Sequence, residues 1–201
     1  GPLVIAGVYT DAASTRALIE AGVMDSKRVS SSDRIRVLAG EIRKTRGVVE
    51  SVVLIGPERY NDLYARFANL NELLAWGHAK AIEELSGRVP DCPRALSDQF
   101  ANPRVLQRAL ERKEVDLELQ QRTKGESDVA VAAASILARE AFVRWMARAA
   151  EQWEISLALG AGPPVLEAGR MFLERHGAQE LCKVAKIHFK TTNQLTNDRM
   201  E

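Results

Sequence analysis

Long apolar runs are missing from this sequence of 201 residues. The longest uninterrupted apolar stretches, such as 129–134, are far shorter than the roughly 18–20 residues that a bilayer span requires. No basic segment leads into an apolar core of the kind that a secretory signal has. We therefore expect neither a membrane protein nor a secreted precursor.

Cysteine is also scarce. Cys92 and Cys182 are the two cysteines, and neither belongs to a CxxC pair or has a histidine-rich neighbourhood. This usage is typical of neither a disulfide scaffold nor a zinc ribbon. We expect a reducing compartment, the cytoplasm.

An excess of one charge is absent as well, because 28 Lys and Arg residues oppose 27 Asp and Glu residues. Net charge therefore gives no argument for a nucleic-acid partner, and any polyanion would have to be recognised by local patches. The length fits one generous domain. No internal repeat, low-complexity tract or linker divides the sequence.

Strand and helix patterns alternate along the chain. The predicted strands are 2–9, 48–55, 93–98 and 115–121. The predicted helices are 11–22, a segment between the cap residues 30–33 and Gly47, 57–67, 71–85, 103–113, 129–150, 164–175 and 178–184. This alternation predicts an α/β domain with a mixed sheet.

Acidic residues stand at two positions where chemistry could be located. Asp98 ends a short predicted strand, and strand ends of open α/β sheets are where ligands and metals gather. Glu126 and Asp128 precede an alanine-rich helix whose small side chains allow close approach to a sheet. Helix capping explains all three carboxylates equally well. Alternatively, carboxylates from the two elements share a hard divalent cation.

Basic and hydroxyl side chains are candidates for phosphate contacts. They are Lys27, Lys183, Lys186, His188, Lys190, Thr191 and Thr192. His78 lies on an apolar helix face between Gly77 and Ala79, which favours a packed histidine over a metal ligand.

The order of the sequence blocks adds a resemblance. The blocks are Gly1–Val8, Asp25-Ser26-Lys27, Asn71–Ala79, Asp98-Gln99-Phe100, Lys124-Gly125-Glu126 ahead of Ala132–Arg139, Leu159–Gly162 and Ala185–Thr192. Together they resemble the catalytic domain of bacterial ribonuclease HIII, in the type 2 ribonuclease H superfamily, from residue 1 to about 192. The alanine-rich block and Asp-Ser-Lys are shared with ribonuclease HII. The Trp76-Gly77-His78 block, the 185–192 ending and glutamate at position 126 resemble HIII specifically.

The resemblance implies a ribonuclease H-like fold, in which helices flank a mixed β-sheet and the C-terminal segment is helical. It implies hydrolysis of the RNA strand of an RNA·DNA hybrid by four carboxylates that hold two Mg²⁺ or Mn²⁺ ions. By motif, Asp98 is the third of these carboxylates and Glu126 the fourth. Discrimination of RNA from DNA then comes from contacts to the 2′-hydroxyl. The implied substrate contacts are Ser26 and Lys27 of the Asp-Ser-Lys block and Lys186, His188 and Thr191 of the C-terminal block.

The sequence departs from the family at its start. In the family the first two carboxylates and a glycine-rich block lie just upstream of Gly-Pro-Leu-Val, where this sequence begins. We therefore expect residues 1–192 to be an N-terminally incomplete catalytic domain, followed by a polar tail at 193–201. We expect a monomer, and we expect the 201 residues alone to cleave a hybrid poorly. The alternatives are ribonuclease HII and a catalytically dead nucleic-acid-binding fragment. Upstream extension of the reading frame would distinguish an enzyme from such a fragment.

Overall fold

The computed structural model describes residues 1–24, 31–160 and 162–197. Its strands are β1 (Leu3–Tyr9), β2 (Val49–Ile55), β3 (Arg94–Asp98) and β4 (Glu118–Arg122). Its α-helices are α1 (Ala12–Glu20), α2 (Ser32–Lys44), α3 (Pro57–Phe67), α4 (Leu70–Arg88), α5 (Pro103–Glu111), α6 (Val129–Trp153), α7 (Pro163–His176) and α8 (Lys190–Asn197). Two 3₁₀ helices cover Gly125–Ser127 and Ala178–Lys183. The α/β class predicted from the sequence is confirmed.

The sheets in the described part of the chain are small. β1 pairs with β2, and β3 pairs with β4. The β3–β4 pair is parallel and in register from Arg94 opposite Glu118 to Asp98 opposite Arg122. Both strands of this pair therefore end at the same edge, and the chain leaves that edge through two loops that lie side by side.

Local sequence signals explain where several helices begin. Asp11 caps α1 by accepting from the backbone N–H groups of Ala13 and Ser14, and Ser14 completes a capping box. Asn102 caps α5, and Pro103 occupies the first helical turn, where its missing N–H costs nothing. β4 begins three residues later than the predicted strand, because the turn that ends α5 still bonds Val115 N–H to the Leu110 carbonyl.

The chain divides into two compact units. The larger unit comprises Val4–Val53 and Asn69–Ala141, and the smaller unit comprises Gly1–Leu3, Leu54–Ala68 and Phe142–Glu201. The assignment of residues 1–192 to one catalytic domain stays a prediction.

Each unit has its own buried apolar cluster. In the larger unit, Ala132 and Ala133 of α6 are fully buried in a cluster with side chains of α1 and α2, against which residues of β1 and β2 also pack. The small residues of α6 thus permit the close packing that the sequence predicts. The cluster of the smaller unit consists of Ile155, Phe172, Leu173, Leu181, Val184 and Leu195.

The division at residue 192 between a domain and a polar tail stays a prediction, and the structure adds a helix in the first part of residues 193–201. Helix α8 continues to Asn197, and Leu195 packs into the cluster around Phe172 with only 6% of its surface exposed. The two apolar residues of 193–201, Leu195 and Met200, are five positions apart and give no helical periodicity. The burial of that one leucine nevertheless holds the helix on α7, where Gly169 leaves room for it.

Candidate active site

Asp98 is the last residue of β3, and its side chain is exposed. The strand end is held firmly, because Ser97 beside it is buried and the Gln99 N–H donates to the Arg122 carbonyl of β4 at 3.0 Å. The capping alternative for Asp98 does not hold, since Asn102 is the residue that caps α5. Asp98 is thus an exposed carboxylate on a fixed strand end.

The turn that follows β4 comes directly against Asp98. Lys124 adopts a left-handed conformation with φ of 59°, and the 3₁₀ helix Gly125–Ser127 begins after it. The Gly125 N–H donates to Oδ1 of Asp98 at 2.9 Å. A Cβ atom on residue 125 would lie 3.0 Å from Cα and 3.2 Å from Cβ of Asp98. Only glycine permits this approach without displacing one of the two segments.

Glu126 follows Gly125 immediately and is half-buried. The hydrogen bond between its neighbour and Asp98 therefore brings the backbone of the turn that carries Glu126 next to Asp98, although 27 positions separate Asp98 from Gly125. The parallel register of β3 and β4 produces this approach, because each carboxylate is carried by the segment that leaves one of the paired strands.

Asp128 has a different role. Its Oδ1 accepts from the Ala130 N–H at 2.9 Å, its carbonyl accepts from the Ala132 N–H, and its φ of −90° and ψ of 138° are extended. These are the features of an N-cap residue at the start of α6. The capping explanation therefore accounts for Asp128, and Glu126 stays the predicted fourth carboxylate.

His78 of α4 lies in the same unit as the two carboxylates. Its ring stacks on that of Phe100 with 4.8 Å between the ring centroids and 17° between the planes. Burial lowers the pKa of His78 to about 4, and the negative charge of Asp98 opposes this shift. A neutral, stacked imidazole is the arrangement of a packed histidine, as its place on an apolar helix face predicts.

The described residues match a hard divalent cation in the type of ligand that they offer. Carboxylate oxygens are what Mg²⁺ and Mn²⁺ prefer, and Asp98 and Glu126 supply them at an accessible strand end. Within residues 1–24, 31–160 and 162–197, no group of three His, Cys, Asp or Glu side chains is arranged to hold a metal ion. Asp98 and Glu126 therefore stay predicted ligands of such an ion.

The predicted substrate contacts of the C-terminal block lie in the smaller unit. The Lys186 ammonium is 4.9 Å from the centroid of the Tyr60 ring, and burial lowers the pKa of Lys186. His188 Nε2 is 2.8 Å from the Tyr60 hydroxyl, and burial, together with the Lys186 charge, lowers the pKa of His188. Thr191 is half-buried in the first turn of α8. Ser26 and Lys27 lie outside the described residues.

Three residues that contact the predicted site residues were not predicted from the sequence. Gly125 sets the distance between the turn and Asp98, and its position inside Lys-Gly-Glu, next to a predicted ligand, was the available signal. Tyr60 and Asn61 of α3 contact the segment around His188. The sequence predicts only that Tyr60 and Asn61 lie within the helix at 57–67, and no local pattern indicates a partner more than 120 positions away.

Comparison with known proteins gives a consistent result. Residues 1–192 match the ribonuclease HII family. The chain is 43% identical to ribonuclease HIII of Chlamydia pneumoniae over 201 residues, which is 99% of this chain and 66% of that protein. It is 44% identical to ribonuclease HIII of Chlamydia muridarum over 193 residues, which is 95% of this chain and 63% of that protein.

The fold agrees with these matches. The crystal structure of Bst-RNase HIII in complex with Mn²⁺ superimposes with a TM-score of 0.90 at 27% identity, and covers 98% of this chain and 65% of that chain. The chain thus spans about two thirds of the length of the relatives that it matches. In the described residues, no helix is long and apolar enough to cross a membrane. The chain belongs to the ribonuclease HII family, and within that family it is similar to the ribonucleases HIII.

Proposed function

We propose that the protein hydrolyses the RNA strand of RNA·DNA hybrids in a reaction that depends on divalent metal ions. The observation that carries this proposal is the hydrogen bond between the Gly125 N–H and Asp98 Oδ1 at the shared edge of β3 and β4. This contact joins the two predicted metal ligands of the family on a rigid part of the fold. Membership of the ribonuclease HII family and similarity to ribonucleases HIII support the choice of substrate.

At the proposed metal site, Asp98 and Glu126 have a different role from Gly125. A bound pair of divalent ions would activate a water molecule and stabilise the leaving 3′-oxygen in an in-line phosphoryl displacement. Asp98 and Glu126 would hold the ions. The Gly125 N–H fixes one oxygen of the Asp98 carboxylate, which restricts its rotation and orients its second oxygen, as outer hydrogen bonds commonly do for metal ligands.

Substrate binding is assigned to the C-terminal block and to the Asp-Ser-Lys block. Lys186 and Lys27 would contact phosphate groups electrostatically, and the hydroxyls of Thr191 and Ser26 would donate hydrogen bonds to phosphate oxygens. Burial and the Lys186 charge lower the pKa of His188, which disfavours its charged form, so His188 would contribute through packing rather than through charge. Recognition of RNA requires a contact to the 2′-hydroxyl.

Three finer expectations belong to the same proposal. We propose Mg²⁺ or Mn²⁺ as the metal, and the presence of Mn²⁺ in the crystal structure of Bst-RNase HIII supports this choice. We propose a cytoplasmic protein, which the free state of Cys92 and Cys182 supports. We also propose that the protein is a monomer.

The proposal is tested with the product of the complete reading frame beside the 201-residue chain. Labelled duplexes of one sequence are prepared as RNA·DNA, DNA·DNA and RNA·RNA, and each is incubated with Mg²⁺, Mn²⁺ or a chelator. We expect cleavage of the RNA strand of the hybrid alone, only with metal, and faster by the complete product. Tight hybrid binding without cleavage under any metal would instead identify a nucleic-acid-binding protein without catalysis.

A further inference from the structure

Asn61 of α3 binds the segment 182–187 through its whole side-chain amide. Its Nδ2 donates to the carbonyls of Cys182 at 3.1 Å and Ala185 at 3.0 Å, and its Oδ1 accepts from the Ile187 N–H at 3.0 Å. One side chain thus satisfies three backbone groups of a segment more than 120 positions away. Such an arrangement fixes the path of the backbone immediately on both sides of Lys186.

Tyr60, the preceding residue, binds the same segment through its side chain. Only 1% of Tyr60 is exposed, and its hydroxyl lies 2.8 Å from His188 Nε2. The His188 ring also stacks on Tyr64, with 3.7 Å between centroids, and on the Tyr60 ring at 5.7 Å, and the Phe189 ring lies tilted by 37° against it at 4.1 Å. The imidazole is therefore held by one hydrogen bond and three rings, which restrict its orientation.

This arrangement leaves one cationic and two apolar side chains exposed. Lys190 is exposed, Ile187 and Phe189 are 47% and 43% exposed, and Lys186 and Thr191 are half-buried. Thr192 is buried, and its hydroxyl donates to the Lys186 carbonyl at 3.2 Å, which folds the end of the block back on its beginning. The block 186–192 is thus a short, ordered surface that presents Lys190 and apolar side chains to solvent and keeps Lys186 and Thr191 partly accessible.

We propose that Tyr60 and Asn61 are positioning residues for substrate, because they hold the 186–192 block in the conformation that binds the phosphodiester backbone of the hybrid. This inference rests on the proposed function. Neither residue touches the reacting atoms. Asn61 acts by binding the backbone of the segment on both sides of Lys186, and Tyr60 acts by binding the His188 ring.

The order of the 186–192 block before substrate binds affects the free energy of binding. A flexible loop that bears Lys186 and Thr191 would lose conformational freedom when it bound phosphate, and that loss would weaken binding. With the loop already ordered by α3, its contacts contribute more fully to affinity. Removal of one neutral hydrogen bond should therefore weaken hybrid binding about fivefold and leave the bound complex as reactive as before.

The test uses Tyr60→Phe and Asn61→Ala in the complete reading-frame product. Tyr60→Phe keeps the ring stack and removes only the hydroxyl that contacts His188. Tyr9→Phe, the same chemical change at a half-buried tyrosine of the larger unit, is the matched control. Hybrid affinity is measured by fluorescence anisotropy over a range of salt concentrations, and kcat, KM and melting temperature are measured in parallel.

We expect Tyr60→Phe to raise Kd and KM about fivefold with kcat within twofold of wild type, and Asn61→Ala to raise both further. The slope of log Kd against log salt should become shallower by up to about one, since a phosphate contact is weakened. Tyr9→Phe should match wild type. These outcomes support a positioning role, because a merely structural defect would lower stability and activity together without changing the salt slope.

Three contrary results are distinguishable. If wild type cleaves the hybrid and the folded Tyr60→Phe and Asn61→Ala variants bind and cleave it like wild type, the positioning role is refuted and the proposed function stands. If both variants lose kcat in proportion to melting temperature at unchanged KM, the residues are structural only. If wild type neither binds nor cleaves the hybrid, the proposed function fails and this inference fails with it.

Discussion

Gly125→Ala is the substitution whose effect the structure defines most sharply. The new methyl group would lie 3.0 Å from Cα, 3.2 Å from Cβ and 3.2 Å from the backbone nitrogen of Asp98. Unstrained carbon–carbon contacts need about 3.5–4.0 Å. Asp98 cannot retreat easily, because β3 is paired with β4 along its whole length. The turn must therefore move away by a few tenths of an ångström, about 0.3–0.5 Å, to restore ordinary contact distances.

That displacement acts on both stability and catalysis. The hydrogen bond from the Gly125 N–H to Asp98 Oδ1, now 2.9 Å, would lengthen to about 3.2–3.4 Å and weaken. Overpacking of this kind destabilises a protein by about 1–3 kcal/mol. Because Glu126 moves with the turn, a predicted ligand is misplaced by a few tenths of an ångström, and an error of about 1 Å can cost about a hundredfold in rate. We expect cleavage to fall about 10-fold.

The assay compares Gly125→Ala with Gly40→Ala in the complete reading-frame product. Gly40 is inside α2, and a Cβ there meets nothing within 4 Å, so alanine should stabilise the helix by up to about 1 kcal/mol. Urea unfolding gives the stability, and single-turnover cleavage across a Mn²⁺ titration, well below the melting temperature, gives the rate. Wild-type cleavage and Mn²⁺ dependence in Gly125→Ala would refute the argument that this contact sets the ligand geometry.

Three further predictions concern a ligand, a buried histidine and the last helix. Glu126→Asp should lower cleavage about 10- to 100-fold, because the shorter side chain moves a ligand by about 1 Å. Asp128→Asn keeps a good helix cap and should cleave within a few-fold of wild type. If a cleavage assay shows the larger loss for Asp128→Asn, Asp128 and not Glu126 is the fourth carboxylate. Burial lowers the pKa of His78 to about 4, so His78 binds a proton at a lower pH in the folded chain than in the unfolded chain. The free energy of unfolding therefore decreases as the pH falls from about 6.5 towards 4. In chelator, urea unfolding should show a loss of about 2 kcal/mol between pH 7 and 5 from this group, and His78→Phe should remove it; an equal slope in the variant would exclude His78 as its source. Leu195→Ala should cost about 2–4 kcal/mol in urea unfolding because the side chain is 6% exposed, and a cost below about 0.5 kcal/mol, the usual size of a surface change, would contradict the packing of α8.

The elements of the candidate site follow from local sequence, and the contact between them does not. The short strand that ends at Asp98 and the acidic turn ahead of a small-residue helix were predictable, because strand propensity, capping and helix spacing act over a few residues. The approach of Gly125 to Asp98 depends on the parallel pairing of β3 and β4, which is a tertiary relation. The sequence also left open whether capping explained the carboxylates, and hydrogen bonds to Asn102 and Asp128 separated these cases.

The end of the chain illustrates the opposite difficulty. A polar composition with one leucine predicted a tail, since amphipathic periodicity needs several apolar residues. The helix forms because Leu195 is buried against α7. The sequence of the last residues alone does not predict that contact. The role of Tyr60 and Asn61 was hidden for the same reason, because their partners at 182–188 are distant in sequence.

The central claim is that Asp98 and Glu126 hold the metal that drives hydrolysis of the hybrid. The most direct test measures metal-dependent cleavage by the complete reading-frame product carrying Asp98→Asn or Glu126→Gln, with hybrid Kd measured in chelator. Each change keeps the shape of the side chain and removes the charge that a divalent cation needs. We predict that either variant loses at least about a hundredfold in single-turnover rate at saturating Mn²⁺ while Kd stays within about twofold. Cleavage near the wild-type rate by either variant would contradict the assignment of the metal site to these two residues.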